Sequence, residues 1–178
     1  MSTRLARVRT ELETARYRAH MLAAPLDETA WAARPAPTAW SAAECLTHLN
    51  LTSRAFIPRL RDALASGRRV AAARYRMDPM GAFLWWVGTV RVPIRTTEPF
   101  VPRASEPRSV VLAEFDALQD QVIKIVEDAE GLDLVALRIE SPFDPRIRYN
   151  VYAGLRVIAA HQRLHLRQAE RAVRSLSK

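Results

Sequence analysis

The chain has 178 residues, 49% of them apolar, with 27 Lys and Arg against 19 Asp and Glu for a formal charge of +8. That length suffices for one domain with a buried core, and a single cysteine excludes a disulfide framework. Only five glycines favour helices over a turn-rich β fold.

From the N-terminus, Leu5, Val8, Leu12, Ala15, Ala19 and Leu22 recur at steps of three and four, one apolar stripe on a helix. The same stretch is charged throughout and has no apolar h-region, so it does not read as a signal peptide. AAPLDETAWAARPAPTAW ends the helix in prolines. A second helix opens at Ser41, where Ser-Ala-Ala-Glu forms a capping box: the hydroxyl accepts from the amide of residue 44 and Glu44 reaches back. Its stripe runs through Cys45, His48, Leu49, Thr52, Phe56, Leu60 and Leu64, and Pro58 is expected to kink it. Residues 67–108, rich in Pro, Arg and aromatics, read as an irregular crossover with one short helix around Trp85 and Trp86. Within it lies the most apolar run, GAFLWWVGTV, far shorter than the ~20 residues of a membrane span.

A third helix carries Val111, Phe115, Leu118, Val122, Ile125 and Ala129 at helical spacing until Gly131 stops it. SPFDPRIRYN reads as a loop. A fourth helix starts near Asn150 or Val151 and runs through Leu155, Ile158, His161, His165 and Ala172. Four amphipathic helices predict an all-α four-helix bundle, one domain over 1–178. A crossover of roughly 40 residues between helices two and three can span the bundle, which permits up-down-down-up order.

The charge attracts polyanions non-specifically. Yet the basic residues are nearly all Arg, dispersed along the chain, and no RNA or DNA module signature is present. The reading is a soluble cytoplasmic protein with a small-molecule substrate, no membrane and no specific nucleic-acid partner.

Two of the four histidines, His161 and His165, stand one helical turn apart. Their Cβ atoms would lie roughly 5–6 Å apart, close enough to share one ion or merely to share a helix face. His48, on the stripe of helix two, is either a hydrogen-bonded core histidine or a third ligand from a facing helix. Three nitrogens with an open fourth position would be the catalytic arrangement, because structural zinc sites close all four. Imidazole suits Zn, Ni or Fe without choosing among them.

Glu44 reads first as the capping residue, otherwise as a group that orients His48 or serves as a base. Cys45 reads as inert core, and His20 as a boundary residue. Gln168 fits a hydrogen bond either to a metal-bound water or substrate or to another helix. Glu170 is expected to pair with one of Arg163, Arg167, Arg171 or Arg174. Trp85 and Trp86, with Met77, Met80 and Phe83, could roof a substrate pocket, form a dimer contact or cap the bundle.

RPAPTAWSAAECLTHLN, followed after a long gap by SPFDPRIRYNVYAGLRVIAAHQRLHLRQAE, resembles the DinB/YfiT-like metalloenzymes. The resemblance rests on Trp40, Ser41, Glu44, His48, His161, His165 and Gln168, extends to the EPFVPRASEP and SPF segments, and covers about 30–172. It implies an up-down-down-up four-helix bundle with a divalent metal on His48, His161 and His165. Characterised relatives include transferases that use low-molecular-weight thiols, many others have no assigned reaction, and dimers are common among them. The expected activity is therefore a metal-dependent S-transferase with a thiol cosubstrate, or a related hydrolase. The alternative is a non-catalytic bundle that binds a metal or a small molecule.

Overall fold

The computed structural model describes residues 1–90, 96–103 and 106–176. Of the predicted crossover, 91–95 and 104–105 lie outside the described residues. Helix α1 (Thr3–Ala23) is capped by Ser2, whose hydroxyl accepts from the amide of Leu5, and buries Leu5, Val8, Leu12, Ala15 and Ala19 as the spacing predicts. Helix α2 (Glu28–Ala32) was not predicted: it is one short turn capped by Asp27 that drives Trp31 into the core.

Helix α3 (Ala42–Ala65) starts with the expected capping box. The amide of Glu44 donates to the Ser41 hydroxyl at 3.1 Å, and the amide of Ser41 donates to the Glu44 carboxylate at 2.9 Å. Both residues are buried, so water cannot replace either bond. Ser41→Ala is expected to cost about 1–2 kcal/mol, read as a lower urea midpoint at unchanged slope. The helix continues through Pro58, which lies on its exposed side.

The crossover holds α4 (Pro79–Val87), close to the expected short helix, and a 3₁₀ turn at Glu98–Phe100. Helix α5 (Arg108–Asp128) buries Val111, Phe115, Leu118, Val122 and Ile125, and the turn after it uses Gly131 at φ +79°. SPFDPRIRYN is not wholly a loop. Its last three residues form β2 (Arg148–Asn150), which pairs antiparallel with β1 (Arg138–Glu140) in register Ile139 to Tyr149. Asn150 then caps α6 (Val151–Leu176): its Oδ1 accepts from the amide of Ala153 at 2.8 Å, while its Nδ2 donates to the carbonyl of Arg76 at 2.9 Å. One side chain thereby starts the last helix and ties the crossover to it.

The described residues are largely helical, with one two-stranded sheet among them. Side-chain pairs give the sense of each helix contact. Arg9–Glu127 and His20–Asp116 run α1 against α5, whereas Glu11–Arg156 and Arg18–Glu170 run α1 along α6. Asn50 donates to the carbonyl of Val111 and Arg61 to Gln121, so α3 and α5 point the same way. His48–His161 and the Leu60–Gly154 approach run α3 against α6. Glu170 therefore pairs across helices with Arg18 at 2.6 Å, not with an arginine of its own helix.

The apolar core is in two parts. One gathers Phe56, Leu60, Val122, Tyr149, Leu155 and Ile158; the other gathers Trp31, Leu46, Leu49, Phe115, Leu166 and Ala169. Along α3 and α6 the parts meet where the sequence turns polar, at His48–Ser53 and at His161–His165. Among the described residues no helix is long and apolar enough to cross a membrane.

Candidate metal centre

His48 on α3 and His161 and His165 on α6 converge at that junction, each with one ligand-capable atom within 4.8 Å of the others. Antiparallel packing of α3 on α6 brings them together, and the i, i+4 spacing then places both α6 imidazoles on the same face. The Nε2 atoms of His48 and His161 are 3.2 Å apart. Two ligands about 2.0–2.1 Å from a tetrahedral ion would be separated by roughly 3.3 Å, so this pair already has the required spacing.

The Nδ1 of His48 is 2.7 Å from the carbonyl oxygen of Phe100. A carbonyl can only accept, so Nδ1 carries the proton and Nε2 turns its lone pair towards the other histidines. The rings enclose one another at centroid distances of 4.9 Å for His48–His161, 4.4 Å for His48–His165 and 4.5 Å for His161–His165. Burial pushes the pKa of all three down; at His161 and His165 neighbouring imidazoles add to it, and His165 falls to about 3. All three are therefore neutral near pH 7, the protonation state that metal ligation requires. Among the described residues no thiol or carboxylate joins the group. These three histidines could hold a metal ion, and the donor set leaves a coordination position for something else.

The depressed pKa values carry a stability cost. Unfolded histidine titrates near about 6.5, so as pH falls below that value the unfolded chain takes up protons that the folded chain refuses. Metal-free protein is expected to lose about 2 kcal/mol through His165 alone by about pH 5, with His48 and His161 adding to the loss in the same direction and no such loss above about pH 7. Urea titrations across that range in the presence of a chelator would measure it.

Above the histidines opens a cavity of about 1090 Å³ whose walls include Trp40, Leu84, Val87, Phe143, Leu164 and Gln168. Trp40 lies against His48 and His165 at 5.0 and 5.9 Å, and Phe143 against His161 at 5.6 Å. The site is thus an apolar chamber with its nitrogen ligands exposed to one side.

A sequence profile of the DinB superfamily matches residues 11–169. The chain belongs to the DinB superfamily. No curated protein and no solved structure gives a significant match.

The other candidate residues take distinct places. Gln168 lines the cavity beside His165, where its side chain slightly favours the charged imidazole against burial. Glu44 is outside the cavity walls, engaged by the capping box and by the Arg34 guanidinium. Burial alone would raise its pKa, but Arg34 and Ser41 together hold the carboxyl below the usual range. Cys45 is fully buried in the core, its thiol pushed up to about 12 chiefly by burial, and carries no nucleophilic thiolate near neutral pH. His20 pairs with Asp116 at 2.9 Å, on α5.

Trp85 and Trp86 do not line this cavity. Trp86 is 52% exposed and stacks on Phe83, while Trp85 packs beneath the guanidinium of Arg156. Sequence reasoning gave no role to the Phe100 carbonyl or to Phe143. The EPF and SPF segments hinted at both, since they are part of the family resemblance, but a backbone carbonyl has no residue signature.

Proposed function

We propose that this DinB protein is a metal-dependent enzyme, a single domain built as an up-down-down-up four-helix bundle, in which His48, His161 and His165 hold a divalent Zn, Ni or Fe ion. The observation that carries the reading is three neutral imidazoles at the base of an apolar cavity with no fourth protein ligand among the described residues. When bound, the ion supplies Lewis acidity and lowers the pKa of the water or thiol that takes its open position.

The chain's own groups decide which of those the site favours. No Asp or Glu is among the described residues lining the cavity, so a water nucleophile finds no carboxylate among them to take its proton. A thiol needs less help, because its unperturbed pKa of about 8.5 is already near neutral. The proposed reaction is S-transfer from a low-molecular-weight thiol: the thiol proton leaves to solvent, the sulfur forms a bond to an electrophilic carbon, and the leaving group departs with its bonding electrons. Trp40, Phe143, Leu84 and Val87 exclude water around that carbon, and Gln168 steadies His165 from the cavity side. Phe100 keeps His48 in the ligating tautomer.

The test is turnover of a panel of electrophiles by metal-loaded protein with glutathione, mycothiol or bacillithiol in turn. Thiol-dependent turnover that vanishes in His48→Ala supports the reading. Full metal loading with no thiol-dependent turnover overturns it in favour of a non-catalytic binder, and turnover without any thiol points to a hydrolase.

A further inference from the structure

A second cavity, of about 470 Å³, lies where α1, α4 and α6 meet. On α6 it is lined by Tyr152 and Arg156. Arg156 precedes His161 by five residues, which places it about 140° around the helix, so this cavity faces away from the histidines. Its walls gather four arginines, Arg4, Arg7, Arg76 and Arg156, beside Trp85 and Tyr152.

The charges here are not balanced. Glu11 is the acid beside them, and it is shared: its Oε1 lies 3.2 Å from Arg7 Nε and 3.4 Å from Arg156 Nη2. Arg4 donates to the neutral carbonyl of Tyr75. Arg76 has no hydrogen-bond or ion-pair partner for its side chain among the described residues. Four positive charges therefore meet one negative charge.

Arg156 is the decisive residue. It is only 5% exposed, yet its Nε has no hydrogen-bond partner. The indole Nε1 of Trp85, whose ring lies 5.6 Å from the Arg156 guanidinium carbon, is likewise buried and unpartnered. The two residues that carry these unpartnered donors both line the cavity, whose walls also hold the other three arginines. Guanidinium forks match phosphoryl oxygens in pairs. Against that surplus of three, a monocarboxylate would leave two charges uncompensated and a phosphomonoester dianion only one, so the more highly charged phosphoryl group is the better match. The faces of Trp85, Tyr152 and Met77 supply an apolar wall for an organic group beside the phosphoryl.

We propose that this cavity is an anion site for a phosphorylated small molecule, separate from the histidine centre. The test is calorimetric titration of the full chain, at physiological salt, with phenyl phosphate, inorganic phosphate, pyrophosphate and benzoate. Phenyl phosphate is expected to bind saturably and more tightly than either inorganic phosphate or benzoate. Arg76→Ala removes an exposed, unpartnered side chain and is expected to weaken it about tenfold. Arg156→Gln should weaken it further. Arg61→Ala, on the outer face of α3, is expected to leave it unchanged. No saturable binding, or equal affinity in Arg76→Ala and Arg61→Ala, overturns the site. Benzoate binding as tightly as phenyl phosphate overturns the phosphoryl assignment, and inorganic phosphate binding as tightly overturns the organic moiety.

Discussion

His161→Ala is expected to leave the purified protein without metal, lowering affinity by well over ~100-fold. Loss of an outer partner that only orients a ligand already costs 10–100-fold, and His161 would be a ligand itself. Its ring packs against both other imidazoles, at 4.9 and 4.5 Å, and its Nε2 is 3.2 Å from that of His48. The substitution should spare the fold, since alanine is the best helix former and the site faces a cavity rather than the packed core.

Elemental analysis of untagged protein gives the first readout, and melting with and without chelator gives the second. Wild type bound at a thousandfold excess over Kd gains about 4 kcal/mol from the ion, so a chelator should lower its melting temperature. The variant should melt at one temperature in both conditions. Equal metal content in wild type and variant would remove the three-histidine centre from consideration. The metal-free variant should also tolerate acid better than metal-free wild type, because one depressed histidine is gone.

What the sequence made legible follows from the length over which each signal accumulates. The stripes of α1, α3, α5 and α6 each repeat over at least 21 residues, long enough for periodicity to outweigh chance. The same signal fails for α2, which has five residues, and for β1 and β2, which have three each. His161 and His165 could be paired from their spacing, but His48 joins them only through the packing of α3 on α6. Spacing along the chain carries no such information; the family pattern supplied it.

Trp85 and Trp86 show another limit. Adjacent residues on a helix point about 100° apart, so one becomes exposed and the other turns under Arg156. Read as a pair, they concealed two different surroundings. The Arg18–Glu170 contact was missed for a related reason: local arginines were nearer in sequence, and α1 was nearer in space.

Trp31→Ala is expected to destabilise the protein by about 3–5 kcal/mol, the largest effect of any single truncation proposed for this core. Five residues cannot hold a helix unaided, so α2 stands because Asp27 caps it and Trp31 anchors it. The indole is fully buried in the same part of the core as Leu46, Leu49 and Leu166, which come from the two helices that present the histidines. Emptying that volume leaves a cavity in the part of the core that α3 and α6 share. Their spacing there helps set how closely His48 approaches His161, so metal affinity should fall together with stability even though Trp31 does not touch the site. Trp31→Phe separates volume from polarity. The indole Nε1 has no hydrogen-bond partner, so phenylalanine forfeits only part of the packing and no bond. Urea midpoints should therefore order wild type, Phe, Ala, with metal affinity reduced clearly only in Ala. An Ala variant as stable as wild type would show that α2 merely decorates the surface. An Ala variant that is destabilised but binds metal normally would show that the histidines are positioned by α3 and α6 without support from Trp31.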